Sequence, residues 1–138
     1  MKILSGLLIM MFLSMLINSN VYAQQNSTST HPKLKILYFH ATMRCPTCNA
    51  IEDNARKLLD KSFRSRLDNG EIKFESYNVD ETANKALVDK YQISFSTLLL
   101  IKGDGTKIDF TSKAFQYALV NPAKYEALLK EEIKKNLE

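Results

Sequence analysis

The stretch that decides the fold is LKILYFHATMRCPTC, residues 34–48. Residues 34–40 are almost uniformly apolar and rich in aromatic and branched side chains, which is typical of a short strand covered on both faces. Residues 46–67 follow, with apolar positions at the spacing of one helix face. The only two cysteines of the protein, Cys45 and Cys48, therefore lie between a buried strand and the start of a helix.

The rest of the chain predicts an α/β domain with the element order β-α-β-α-β-β-α. After the first helix, the predicted elements are a strand at 71–79, a helix at 82–91, a buried strand at 97–102, a strand at 106–110 and a last helix from Asn121-Pro122. The early β-α-β unit indicates a parallel strand pair, and the later hairpin adds an antiparallel strand. A helical turn is expected at 114–120.

The N-terminal segment, residues 1–23, has the layout of a secretory signal peptide. Lys2 precedes an apolar run at residues 3–17, which is shorter than the roughly 20 residues that a membrane-spanning helix needs. In Val21-Tyr22-Ala23, small or short side chains stand at the two positions that a signal peptidase reads, Val21 and Ala23. We therefore expect an exported protein, periplasmic or secreted, cleaved near Ala23. An uncleaved N-terminal anchor is the alternative.

Downstream of the signal, residues 24–33 are polar and predict a flexible tether, and residues 34–138 predict one domain. The net charge of the whole chain is +4, with basic and acidic residues interspersed. A nucleic-acid-binding surface is usually more basic and more clustered, so no nucleic-acid partner is expected. No later segment is long and apolar enough to span a membrane, and we expect a monomer.

The cysteine pair has three interpretations. A purely structural disulfide is disfavoured because the loop it closes is very small, and stabilisation grows with loop size. A structural zinc site needs four ligands, and only His31 and His40 accompany the cysteines in the mature chain. A site for a soft, copper-like ion at Cys45 and Cys48, or one shared between two copies, stays open.

The third interpretation is thiol–disulfide exchange, and the local pattern favours it. Cys45 is placed at the helix N-cap and Pro46 at the first helical position, followed by Thr47. The helix dipole and free backbone N–H groups there favour a thiolate at Cys45, and Arg44 adds a cation, unless it is only a solvated flank. Cys48 lies one turn further inside. Cys45 is therefore the predicted nucleophile and Cys48 the resolving thiol, and no cofactor is expected.

The chain also resembles the thioredoxin family from residue 34 to 137. The matching features are the CxxC at a helix start, Asn78-Val79-Asp80 closing the second strand, the Thr-Leu-Leu-Leu strand at 97–100 and a glycine-containing hairpin. The resemblance implies a four-stranded core sheet flanked by helices and a Cys45–Cys48 dithiol–disulfide active site. It also implies protein thiols or disulfides as partners, together with a redox partner. A thioredoxin-fold adaptor with idle cysteines is a further alternative.

The chain departs from the family pattern around the cysteines. Arg44 replaces the tryptophan that precedes the first cysteine. The family's buried aspartate, six residues before that cysteine, aligns with Phe39, and the lysine facing it aligns with Ser76. His40 is the nearest titratable replacement, so a proton relay at His40 is a hypothesis. A packed strand-end histidine is the simpler interpretation.

Ser96 stands where the family has a cis-proline. A cis bond before a residue other than proline costs about 3–4 kcal/mol, so the Phe95–Ser96 bond is expected to be trans. The Ser96 hydroxyl is then a candidate hydrogen-bond partner for the Cys45 thiolate. The smaller side chain also leaves room near the sulfurs, which keeps the metal alternative open.

Overall fold

The computed structural model describes residues 31–137. The predicted signal peptide and residues 24–30 of the predicted tether lie outside the described residues. At the other end of the tether, Lys33 is held on the domain, because its ammonium pairs with Glu71 at 2.8 Å and its carbonyl accepts a 2.7 Å hydrogen bond from Gly103 N–H. Within the described range, no helix has both the length and the apolar character needed to cross a bilayer.

Residues 31–137 form four strands and five α-helices. Their order follows the predicted β-α-β-α-β-β-α, except that two helices replace the predicted helix at 46–67 and a helix from Thr111 to Tyr117 stands near the helical turn expected at 114–120. The elements are β1 (Leu34–His40), α1 (Pro46–Ser62), α2 (Arg64–Asp68), β2 (Ile72–Asn78), α3 (Lys85–Tyr91) after a 3-10 turn (Thr82–Asn84), β3 (Thr97–Lys102), β4 (Lys107–Asp109), α4 (Thr111–Tyr117) and α5 (Pro122–Lys135). The predicted start of the last helix is confirmed, with Asn121 as its N-cap and Pro122 in its first turn.

The strands form one mixed sheet in the order β2-β1-β3-β4. β1 is central. It runs parallel to β2, with Leu34 opposite Ile72, and antiparallel to β3, with Tyr38 opposite Leu98. The short strand β4 closes the other edge, antiparallel to β3. The predicted parallel pair and the antiparallel hairpin are both confirmed.

Both faces of β1 are buried, as its continuous apolar pattern predicts. On one face, Ile36 and Tyr38 belong to the core cluster formed with α1, α4 and α5. On the other face, Leu37 and Phe39 form a smaller cluster with β3, and Leu87 of α3 packs against it. Alternate residues of β1 therefore face different helices, and this alternation decides which side chains reach the cysteines.

The structure differs from the sequence prediction in the first helix. The predicted helix over 46–67 is divided at Phe63, whose φ of −134° is not helical. The Phe63 side chain is buried in the core under α1, and its N–H still bonds to the Leu59 carbonyl at 2.8 Å. The break therefore turns the chain while keeping the ring in the core. Gly70, with φ of +77°, takes the left-handed conformation that favours glycine, directly after Asn69, the C-cap of α2.

Candidate active site

The first turn of α1 presents the two cysteines. Cys45 is the N-cap residue, with extended φ and ψ of −75° and 160°, and its Sγ accepts a hydrogen bond from Cys48 N–H at 3.1 Å. Pro46 occupies the first turn, where its missing N–H leaves no helical hydrogen bond unmade. The predicted helix start is confirmed. The backbone N–H at Cys45 Sγ and the positive end of the helix dipole both favour negative charge on that sulfur.

The two sulfurs form a disulfide bond, with 5.0 Å between the Cα atoms of Cys45 and Cys48. Cys45 is exposed, whereas Cys48 is only 7% exposed. Pro46 is exposed and Thr47 is half-buried beside them. An incoming thiolate therefore has access to the Cys45 sulfur, while the Cys48 sulfur is shielded by the domain.

Tyr38 holds the backbone of Cys48, and sequence analysis did not identify it. Its buried hydroxyl donates a 2.9 Å hydrogen bond to the Cys48 carbonyl, which ties the central strand to the first turn of α1. Burial raises the pKa of Tyr38 and outweighs the hydrogen bonds with Arg44 and Ser96, which lower it. The hydroxyl therefore stays protonated and donates. The period-two alternation of β1 could have identified Tyr38, because it shares a face with Leu34 and Ile36.

Phe39, which the resemblance aligns with the family's buried aspartate, does not face the cysteines. The Phe39 ring lies on the opposite face of the sheet, 5.5 Å from the ring of Tyr77 and 6.0 Å from that of Tyr91. Tyr38 occupies the place near Cys48 instead. Ser76 is opposite Tyr38 in the β1–β2 register. Its buried hydroxyl has no hydrogen-bond partner within residues 31–137.

Arg44 is part of a charged cluster against α1. Its guanidinium pairs with the Glu52 carboxylate at 2.6 Å, donates to the Cys48 carbonyl at 3.4 Å and lies over the Tyr38 ring, 5.6 Å from its centroid. Arg56 pairs with the same carboxylate at 2.6 Å. The interpretation of Arg44 as a solvated flank is therefore wrong, because its side chain is paired with Glu52 and held against the first turn of α1.

Glu52 is the second residue that sequence analysis did not identify. It lies one helical turn after Cys48 and is only 8% exposed. Burial opposes its ionisation, but hydrogen bonds from Arg56 and Arg44 outweigh burial and hold the pKa of Glu52 below its usual value. The sequence did contain a signal for this residue. Glu52 lies on the apolar face of the predicted helix, with Arg56 four positions after it and Arg44 eight positions before it.

Ser96 lies beside the disulfide, but next to the inner sulfur. Its Oγ is 3.9 Å from Cys48 Sγ, whereas the sequence-based expectation directed it at Cys45. The Phe95–Ser96 bond is trans as expected, since residues 31–137 contain no cis peptide bond. Ser96 therefore packs against the shielded end of the disulfide.

His40 ends the central strand and is half-buried. Its Nδ1 lies 3.0 Å from the Ala41 carbonyl, and its ring is 5.8 Å from that of Tyr38. The carbonyl requires Nδ1 to carry a proton, so this nitrogen is engaged as a donor. These contacts fit a packed strand-end histidine, and the proton relay stays a prediction, to be tested by the exchange rate of a His40→Gln variant across pH.

The loop between β1 and Cys45 is tied to the end of β2. Asp80 accepts a 2.7 Å hydrogen bond from Thr42 N–H, and the Asn78 amide donates to Thr42 Oγ1 at 2.9 Å. The hydrogen bond from Thr42 N–H lowers the pKa of Asp80. The Asn78-Val79-Asp80 motif thus fixes the loop that presents Cys45.

Two exposed apolar side chains lie in the loops next to the disulfide. Met43 is 90% exposed in the loop before Cys45, and Phe95 is 66% exposed next to Ser96. These two side chains put apolar surface on both loops that flank the disulfide. Within the described part of the chain, no group of three or more histidine, cysteine or acidic side chains is placed to hold a metal ion.

Comparison with solved structures identifies the fold. Thioredoxin from Fasciola hepatica is 23% identical and has a TM-score of 0.51, with 77% of this chain and 83% of that chain covered. Oxidised thioredoxin O2 from Arabidopsis thaliana is 18% identical, also with a TM-score of 0.51, and the coverages are 76% and 82%. No protein-family model matches the chain, and no curated protein does. The chain has the thioredoxin fold.

Proposed function

We propose that this chain is an exported thiol–disulfide oxidoreductase that acts on protein thiols or disulfides. The observation that carries the proposal is the disulfide itself, with Cys45 exposed at the N-cap of α1 and Cys48 buried one turn later. A disulfide that closes so small a loop contributes little to stability, whereas its outer sulfur is placed for exchange. The thioredoxin fold is consistent with this chemistry but does not by itself assign it.

In the oxidising direction, a substrate thiolate attacks Cys45 Sγ and breaks the Cys45–Cys48 bond. A mixed disulfide forms with Cys45, and Cys48 leaves as a thiolate. A second substrate thiolate then attacks the substrate sulfur of the mixed disulfide and releases Cys45, so the substrate loses two electrons and the protein gains them. The reducing direction is the reverse sequence, beginning with attack of the Cys45 thiolate on a substrate disulfide.

The surface around Cys45 supports a protein substrate. Met43 and Phe95 provide exposed apolar contacts in the two loops beside the disulfide, and no enclosed pocket for a small molecule is needed for the exchange. Export is supported by the signal-peptide pattern of residues 1–23 and agrees with the persistence of disulfides outside the cytosol. Its test is the N-terminal sequence of the exported protein, which begins at Gln24 if cleavage follows Ala23.

The experiment that tests the activity is a redox titration of the purified protein against glutathione or dithiothreitol, with thiol trapping of Cys45 and Cys48. We expect one reversible two-electron transition, lost in the Cys45→Ser and Cys48→Ser variants. A midpoint potential of about −120 mV indicates an oxidant, and a midpoint potential of about −270 mV indicates a reductant. The absence of a reversible transition, or a transition seen only after a bound metal is stripped, would overturn the proposal.

A further inference from the structure

Glu52 is a buried carboxylate within one helical turn of the disulfide. Its side chain is 11% exposed, and it accepts hydrogen bonds from Arg44 Nη2 at 2.6 Å and from Arg56 Nε and Nη2 at 3.0 and 2.6 Å. Buried ions are costly unless they are paired and hydrogen-bonded, so two arginines on one carboxylate account for its burial. The cluster of Arg44, Glu52 and Arg56 carries one net positive charge.

The two arginines differ in what else they touch. Arg44 also contacts the first turn of α1 through the Cys48 carbonyl, and its side chain is 25% exposed. Arg56 lies over the ring of Phe74, 4.6 Å from its centroid, and its side chain is 52% exposed. The same carboxylate therefore holds one cation against the disulfide turn and another away from it.

We infer that Arg44 stabilises the thiolate formed when the disulfide opens, and that Glu52 is the positioning residue that holds Arg44 there and offsets part of its charge. This inference rests on the proposed function. Reduction converts a neutral disulfide into thiols, and a cation held against the first turn of α1 through the Cys48 carbonyl favours the thiolate of Cys45, the N-cap of that turn. Arg44 therefore favours the reduced protein, and the carboxylate opposes it.

The other groups around this turn do not supply the same effect. Tyr38 stays neutral and donates to the Cys48 carbonyl, and Ser96 is an uncharged neighbour of Cys48 Sγ. His40 is engaged with the Ala41 carbonyl. Within residues 31–137, the charged side chain that contacts the first turn of α1 is that of Arg44. Glu52 pairs with Arg44, and Arg56 pairs with Glu52.

The test compares three charge-changing variants by the glutathione equilibrium and by the pH dependence of Cys45 alkylation. In Arg44→Gln, we expect the equilibrium to move towards the disulfide by about threefold, with a higher Cys45 pKa. In Glu52→Gln, the amide oxygen can still accept the hydrogen bond from Arg44, so the guanidinium stays in place while the negative charge is removed. We therefore expect a shift of opposite sign. Arg56→Gln is the matched control, with the same loss of charge as Arg44→Gln and a much smaller shift.

Rescue separates an electrostatic role from a structural one. Arg44→Lys keeps the cation without the planar fork, so it should retain most of the wild-type equilibrium, and circular dichroism checks that each variant is folded. Shifts of the same sign in Arg44→Gln and Glu52→Gln, or equal shifts in Arg44→Gln and Arg56→Gln, would overturn the inference. A wild-type protein with no reversible transition would instead reject the proposed function.

Discussion

At the scale of single residues, the site depends on side chains that flank the CxxC motif. Tyr38 and Arg44 both donate to the Cys48 carbonyl, so a strand residue and a loop residue fix the inner cysteine. The motif itself, with Cys45 outside and Cys48 inside, was predictable from the sequence. Tyr38 was not identified because the position facing the cysteines was taken as six residues before Cys45, which gives Phe39. Which strand residue faces the cysteines also depends on the path of the loop at residues 41–44.

The Tyr38→Phe variant tests this contact. It removes the hydroxyl donor and keeps the ring in the core, so we expect a loss of about 1 kcal/mol in the free energy of unfolding of the oxidised protein, measured by urea denaturation. With Cys48 less constrained, its effective concentration at Cys45 falls, and the glutathione equilibrium shifts towards the dithiol.

Tyr125→Phe is the matched control for that variant. The Tyr125 hydroxyl is also buried and donates to a carbonyl of α1, that of Ile51, at 3.0 Å. We expect a similar loss of stability with no change in the redox equilibrium. Equal redox shifts in the two variants would show that the Tyr38 contact matters only for general stability.

At the scale of elements, α1 connects the cysteines to the core. Its apolar face and its start at Pro46 were predicted, because both follow from local spacing and capping. Its end was not predicted, because Phe63 continues the apolar pattern while the backbone turns to keep that ring buried. Residues 64–68 resume a helix of their own, so periodicity alone joined two elements that tertiary packing separates.

The N-cap role of Cys45 predicts a difference between two variants that both lack the disulfide. Serine is a good N-cap and alanine is a poor one. We expect Cys45→Ala to be less stable than Cys45→Ser by about 1 kcal/mol in urea denaturation. Equal stabilities would mean that the hydrogen bond from Cys48 N–H to the side chain at position 45 contributes nothing to the helix.

At the scale of the whole molecule, the four-stranded mixed sheet was predictable because each strand has its own pattern and the connections limit the topology. The charged cluster was predictable only in part: Glu52 and Arg56 have the i,i+4 spacing of a helix pair, whereas Arg44 is eight positions before Glu52 and meets it only when the loop before α1 folds back on the helix. Sequence patterns thus identify elements well, and they fail where a contact depends on the path of a loop.

The paired carboxylate predicts how stability changes with acid. Because the pKa of Glu52 is below its usual value of 4.5 in the folded chain, its contribution is present above that value and is lost as the pH falls through the folded pKa. We expect Glu52→Gln to flatten the decline of unfolding free energy between about pH 5 and 3. Asp53→Asn, at an exposed position on the same helix, is the control and should keep the wild-type slope.

The central position of β1 has a consequence for biosynthesis. The strand that leads to the cysteines is made first, but both strands that flank it are made later, Ile72–Asn78 and then Thr97–Lys102. During synthesis, Cys45 and Cys48 therefore emerge before the sheet that shields the inner sulfur exists. We therefore expect both thiols to be accessible in the nascent chain, and the shelter of Cys48 beside Ser96 to arise only once the segment that leads into β3 is in place.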